Sequence, residues 1–134
     1  MMYWMIGLAG MLGALLRYYI GLFIPSGELY GFPLGTLIVN FIGCFLLSWF
    51  TVWSMQRKSI PSWFRMGFAT GFIGAFTTFS TFSVEVVKML DHGLWIMGFF
   101  YLFLSLWGGL FLAWIGYKMA MKQGEKNRLE GGYS

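Results

Sequence analysis

Four long apolar runs, separated by short polar breaks, organise the sequence. They cover roughly residues 3–24, 34–54, 63–89 and 94–117. A helix needs about 20 mostly apolar residues to cross a bilayer, and each run is long enough. The breaks are built from residues that stop helices. Pro25-Ser26-Gly27 ends the first run and Pro33 opens the second. Gln56-Arg57-Lys58-Ser59 followed by Pro61 separates the second from the third, and Asp91-His92-Gly93 separates the third from the fourth. Turn and breaker residues of these kinds mark element boundaries. The pattern predicts an all-α integral membrane protein with four transmembrane helices in one domain over 1–117. A polar cytoplasmic tail, frayed or helical at its start, follows over 118–134.

Composition agrees with lipid as the main solvent. Only 10% of residues are charged, against about 25% in an average soluble domain. The first run could be mistaken for a leader peptide, but it lacks a basic start and Arg17 interrupts its apolar centre. It reads as a retained helix. The single cysteine, Cys44, lies inside an apolar run. One thiol and one histidine make neither an internal disulfide nor a metal cluster, so Cys44 reads as a packing residue and His92 as a solvated loop residue.

Charge placement sets an expected orientation. Four spans put both termini on one side, together with the break between the second and third runs. That side carries Arg57, Lys58, Arg65, Lys118, Lys122, Lys126 and Arg128. The opposite side has Lys88, and Arg17 if it reaches that interface. Lysine and arginine favour the cytoplasm, so both termini are expected there, in a plasma membrane. No basic stripe is interleaved with aromatics on a polar face, which argues against a nucleic-acid partner.

The third run is the unusual one. Thr77, Thr78, Ser80, Thr81 and Ser83 place five hydroxyls within seven positions near the centre of the expected span. One hydroxyl can bond back to its own helix. Five together, beside Gly71 and Gly74, point to a helix broken near its centre. Irregular backbone is tolerated in a membrane only where protein or water satisfies it. Broken spans serve ions through carbonyls and helix N-termini. The competing reading is a hydroxyl-rich helix interface. Glycines at 7, 10, 13, 67, 71 and 74 read as positions of close helix approach.

Further polar residues fall at helical spacing. Thr36 and Asn40 are four apart in the second run, Phe79 and Phe82 three apart in the third, and Tyr101 and Ser105 four apart in the fourth. Each pair can share a helix face. Interhelical bonding or ordinary packing would account for them singly. Together they could form one polar track whose donors carry no fixed positive charge, which suits an anion. Aromatic ring edges are positive and can touch a small anion without trapping it. Arg17 and Glu85 are expected near one interface, either as a pair or at a vestibule mouth, because an unpaired arginine at the bilayer centre costs ~2.5–3.5 kcal/mol on insertion scales. No paired carboxylates, Cys/His arrangement or phosphate-cradling loop is present, so no enzyme activity is expected.

Three motifs carry a family resemblance. They are Gly13-Ala-Leu-Leu-Arg17-Tyr18, Gly35-Thr36-Leu-Ile-Val-Asn40-Phe-Ile-Gly43, and the segment from Gly71 to Glu85 containing Gly74 and Thr77-Thr78-Phe79-Ser80-Thr81-Phe82-Ser83. The chain resembles the Fluc (CrcB) fluoride-channel family over about Gly7 to Tyr117. The resemblance implies a fluoride-selective channel that exports fluoride passively and works as an antiparallel dimer. It implies pore roles for Phe79, Phe82 and Asn40, and for Tyr101 and Ser105 of the fourth span. Thr36, Ser80, Thr81 and Ser83 join the same expected pathway. It also implies a structural sodium ion held by backbone carbonyls of Gly74 and Thr77, and no organic cofactor.

One departure bears on the partner. An antiparallel homodimer needs a chain that inserts both ways, which calls for little lysine and arginine bias. The bias here suggests one-way insertion and an inverted paralogue as the second subunit. The rival functions are a small multidrug/proton antiporter and a non-conducting structural subunit of a heteromeric channel. The antiporter would be expected to carry an acidic residue in its first span, and the first run has none.

Overall fold

The computed structural model describes residues 2–24, 32–57 and 59–131, and those residues form helices and short connections. The break at Pro25-Ser26-Gly27 and Lys58 lie outside the described residues. The helices are α1 (Met2–Phe23), α2 (Leu34–Met55), α3 (Ser62–Met66), α4 (Gly74–Phe76), α5 (Phe79–Asp91) and α6 (Trp95–Gly131), with a π-helical segment, Gly67–Ile73, joining α3 to α4. Among the described residues, three helical stretches are long and apolar enough to cross a membrane: Tyr3–Phe23, Leu34–Met55 and Trp95–Asn127. The remaining run is divided among α3, the π segment, α4 and α5. α6 passes Tyr117 without a boundary, so the polar tail continues the helix as far as Gly131.

Glycines set the packing of α1 against the π segment. Gly13 lies against the backbone of Phe72, where a Cβ would collide with its carbonyl oxygen. A Cβ on Gly71 would come within 2.6 Å of the Ile6 carbonyl oxygen. Backbones approach this closely only where side chains are absent. Gly7 and Gly74, read above with the same role, have open space or ordinary contact distance around them. Along the third region, Phe64, Phe68, Phe72 and Phe76 stack at successive four-residue intervals, with centroids 6.4, 5.1 and 6.3 Å apart. Phe50 of α2 meets this row at Phe68, 4.5 Å away.

α2 and α6 form the other main pairing. Gly116 sits against the Phe45 carbonyl with no room for a side chain, and Gly108 faces the Phe41 ring. A buried cluster of Leu37, Met89 and Tyr101 joins α2, α5 and α6, with Phe41, Phe82, Val86 and Leu104 packed around it. Between α5 and α6 the chain reverses at Gly93, whose φ of 75° suits a residue without a Cβ. The Gly93 N–H donates to the Leu90 carbonyl and the Leu94 N–H to the Met89 carbonyl, closing the end of α5 in a Schellman motif. His92, just before this turn, is exposed, and its Nδ1 lies 2.6 Å from the Lys88 carbonyl.

The outside of the molecule is apolar. Leu8, Leu12, Leu15 and Leu22 of α1 are all more than half exposed, as are Phe103, Leu106, Trp107 and Leu110 of α6. A contiguous apolar exterior of this extent requires lipid or another chain as its neighbour.

Candidate functional site

The site is assembled around the connection between α4 and α5. α4 ends at Phe76, Thr77 has ψ 156°, and Thr78 has φ −143° and ψ 120°. These two extended residues take the backbone out of helical bonding before α5 starts at Phe79. Thr77 closes the preceding turn, its hydroxyl donating to the Ile73 carbonyl at 3.1 Å. Thr78 caps the next helix, its Oγ1 accepting from the Thr81 N–H at 3.1 Å. A threonine oxygen in this position satisfies one of the orphan N–H groups of a helix start.

Asn40 of α2 satisfies the rest of Thr78. Its Nδ2–H donates to the Thr78 carbonyl at 3.0 Å, and the Thr78 N–H donates to its Oδ1 at 2.9 Å. One side chain thus gives the Thr78 N–H the partner that the extended backbone removes, and adds a donor to a carbonyl that also opens the first turn of α5. An amide nitrogen has two hydrogens, so a second donor on Asn40 remains.

Farther along, Glu85 joins three helices. Its Oε1 accepts the Thr36 hydroxyl of α2 at 2.7 Å, and its Oε2 accepts the Tyr101 hydroxyl of α6 at 2.9 Å. Tyr101 has no solvent exposure at all. A carboxylate in such surroundings needs donors to offset its desolvation, and hydroxyls supply them here. Arg17 and Glu85 both line a cavity of about 360 Å³, with Tyr18, Thr36, Thr78 and Thr81 also on its wall.

The two phenylalanines differ in surroundings. Phe82 packs on the Tyr101 ring at 5.1 Å, whereas Phe79 is 81% exposed, and their rings are 6.0 Å apart. Ser80 and Thr81 are exposed beside them. Ser83 donates back to the Phe79 carbonyl at 2.9 Å. Ser105 stands apart from these bonds: its Oγ is buried and finds no hydrogen-bond partner among the described residues. The structure therefore brings Thr36, Glu85 and Tyr101 into one bonded group and Asn40, Thr78 and Thr81 into another, with Phe82 against the first.

The residues expected to hold sodium lie where α4 ends. Gly74 is exposed, and the nearest group a Cβ there would meet, the Ala69 carbonyl oxygen, is 3.9 Å away. Thr77 lies beside it, its hydroxyl 3.4 Å from the Gly74 carbonyl. Carbonyls at a helix C-terminus lack intrahelical partners and carry partial negative charge. Oxygens of this kind suit a hard monovalent cation. Among the described residues, no three His, Cys, Asp or Glu side chains converge as a transition metal would need.

The family model described as CrcB-like protein, Camphor Resistance (CrcB), matches residues 4–117. The chain belongs to the CrcB family. The motifs in α1, α2 and the third region all fall inside that match, as does the bonded site. Fluoride-specific ion channel FluC 2 of Geobacillus kaustophilus is 48% identical over 123 residues, covering 92% of this chain and 95% of that protein. Fluoride-specific ion channel FluC 1 of Bacillus cereus is 46% identical over 134 residues, covering 100% of this chain and 93% of that protein. Fluoride-specific ion channel FluC of Oceanobacillus iheyensis is 41% identical over 114 residues, covering 85% and 87%. With its long apolar helices, this CrcB chain is a multi-pass membrane protein.

Two features of the site were not read from the sequence. Thr78 was counted among the hydroxyls, yet its backbone is what Asn40 holds. The spacing of Thr78 and Thr81, a hydroxyl residue three before a helical position, carried that signal. Glu85, expected beside Arg17 as a pair or at a vestibule mouth, shares a cavity wall with Arg17, while its oxygens are taken by Thr36 and Tyr101. An acidic residue inside an apolar run must find donors, and the nearest polar residues of the second and fourth runs were these two.

Proposed function

We propose that this chain is a fluoride-selective channel that lowers cytoplasmic fluoride by passive export. The observation that carries the reading is membership of the CrcB family together with relatives named fluoride-specific ion channels, aligned across the segments that hold Asn40, Thr78 and Phe82. The chemistry supports an anion. Thr36 and Tyr101 spend their donors on Glu85, and Ser83 spends its own on the Phe79 carbonyl. The second Asn40 N–H and the Ser105 hydroxyl remain for a passing ion, with the exposed Ser80 and Thr81 nearby. Phe79 and Phe82 add positive ring edges. None of these groups is a fixed cation, so an anion is admitted without being trapped.

In this reading α3, the π segment, α4 and α5 together make the third of four membrane spans, broken at Thr77 and Thr78. A second, inverted subunit completes the pore. The exposure of Gly74, Phe79, Ser80 and Thr81 supports a partner, because hydroxyls and irregular backbone facing lipid would be unsatisfied. Sodium would bind where the Gly74 and Thr77 carbonyls of two chains meet, fixing the dimer without taking part in conduction. Both termini lie in the cytoplasm, and the charge bias favours a paralogue as partner.

The test is growth. Cells lacking fluoride export, arrested by fluoride in the medium, are expected to recover when the chain is expressed, with its paralogue supplied if needed. Continued arrest with well-inserted protein and partner would overturn the reading.

A further inference from the structure

The far end of α6 builds a second site, away from the residues described above. Trp53, Gln56 and Arg57 at the end of α2 face Tyr117, Lys118, Met121, Lys122 and Glu125 of α6 across a cavity of about 1040 Å³. Its side chains carry three positive charges against one carboxylate. Two of the three cations are ordered by aromatic rings: the Arg57 guanidinium lies 4.6 Å from the Trp53 ring centroid, and the Lys118 ammonium 4.1 Å from that of Trp114. Cation–π contacts of this kind hold a charge in place while leaving its donors free.

The cavity is a built feature rather than two loose chain ends. Trp49 Nε1–H donates to Gln123 Oε1 at 3.3 Å, and Gln56 Nε2–H lies 3.6 Å from the Met121 sulfur. The Gln56 amide rests on Gly124, where any side chain would collide with it. Trp53 stacks on Trp49 at 5.5 Å. These contacts dock the polar extension of α6 onto α2 beyond the apolar part of either helix. The matched family region stops at residue 117, so Lys118, Lys122 and Glu125 lie past it.

We propose that this cavity binds the phosphate headgroup of an anionic lipid. Position and composition both favour a lipid. The cavity lies where the apolar stretches of α2 and α6 give way to charge, the level at which Trp and Tyr sit at a membrane interface. Basic pockets between membrane helices take anionic headgroups. Arg57 presents a planar fork of donors and the lysines present point charges, a combination suited to a phosphodiester. The carboxylate of Glu125 opposes the anion and moderates its affinity. The proposal depends on the chain spanning a membrane and is independent of what it conducts.

Native mass spectrometry of the full-length protein in detergent, with equal amounts of phosphatidylglycerol and phosphatidylcholine added, tests it. Phosphatidylglycerol is expected to be retained and phosphatidylcholine lost. Arg57→Gln, Lys118→Gln and Lys122→Gln are each expected to lower retention about fivefold, the equivalent of ~1 kcal/mol per basic residue near an anionic surface. Glu125→Gln is expected to raise it. Equal retention of the two lipids, or retention unchanged in the three basic variants, would overturn the proposal. Displacement of the lipid by inorganic phosphate would assign the cavity to the free ion and overturn it equally. Fluoride efflux is not the readout, so this result and the channel reading stand or fall separately.

Discussion

The amide of Asn40 answers a problem set by two residues of extended backbone. Thr78 cannot use a helical partner for its N–H, and Asn40 supplies one while also donating to its C=O. Asn40→Leu keeps the volume and removes the pairing. A buried N–H left unmatched costs ~1–3 kcal/mol, so a lowered thermal midpoint with lost conduction is expected; an unchanged midpoint would show that Thr78 finds another partner. Glu85 offers a graded comparison. Glu85→Gln can still meet both hydroxyls, its amide oxygen accepting one and its N–H donating to the other. Glu85→Ala leaves the fully buried Tyr101 hydroxyl unpaired. The alanine variant is expected to be the less stable in thermal unfolding, and equal midpoints would remove Glu85 from its structural role. Phe79, being exposed, should tolerate Phe79→Ile with a stability change within about 0.5 kcal/mol. Its flux is nevertheless expected to fall, and unchanged flux in both Phe79→Ile and Phe82→Ile would remove the ring edges from the pathway. Residue types and spacing made these positions legible in the sequence. The partners were less so, because spacing along one helix does not say which residue of another helix it meets.

Among elements, the contact of α1 with the π segment is the most demanding. Gly13→Ala would place a methyl against the Phe72 backbone, which cannot move aside as a side chain can. Overpacking of this kind costs ~1–3 kcal/mol. Gly7→Ala, in open space, serves as the control and is expected to leave the thermal midpoint unaltered; equal loss in both variants would mean that lipid contact, not helix packing, governs α1. The long helices were readable because apolar runs and breakers report directly on span length. The π segment was not, since GxxxG spacing signals close approach without revealing helix type. The sequence suggests helix only at the start of the tail, whereas α6 runs on to Gly131. Loss of apolar residues after Tyr117 marks where a span can end, but no proline stops the helix there, and contacts such as Trp49–Gln123 and Gln56–Gly124 support it afterwards.

For the whole molecule, the exposed apolar helices call for a membrane, and the exposed polar connection is what the proposed second subunit would cover. A reporter fused to the C-terminus measures the orientation, with signal expected mainly from the cytoplasmic side. Equal signal from both sides would return the chain to the homodimer class. The hydroxyl density of the polar connection points to a break in the helix, and the extended Thr77 and Thr78 lie within it; that it serves an anion is read from donor chemistry, and that the anion is fluoride only from the family. The most direct measurement is therefore fluoride efflux from liposomes holding the purified protein, with chloride as the comparison ion and the paralogue added where needed. Fluoride is expected to leave far faster than chloride. Well-folded dimers that release no fluoride, or release chloride equally fast, would contradict the assignment.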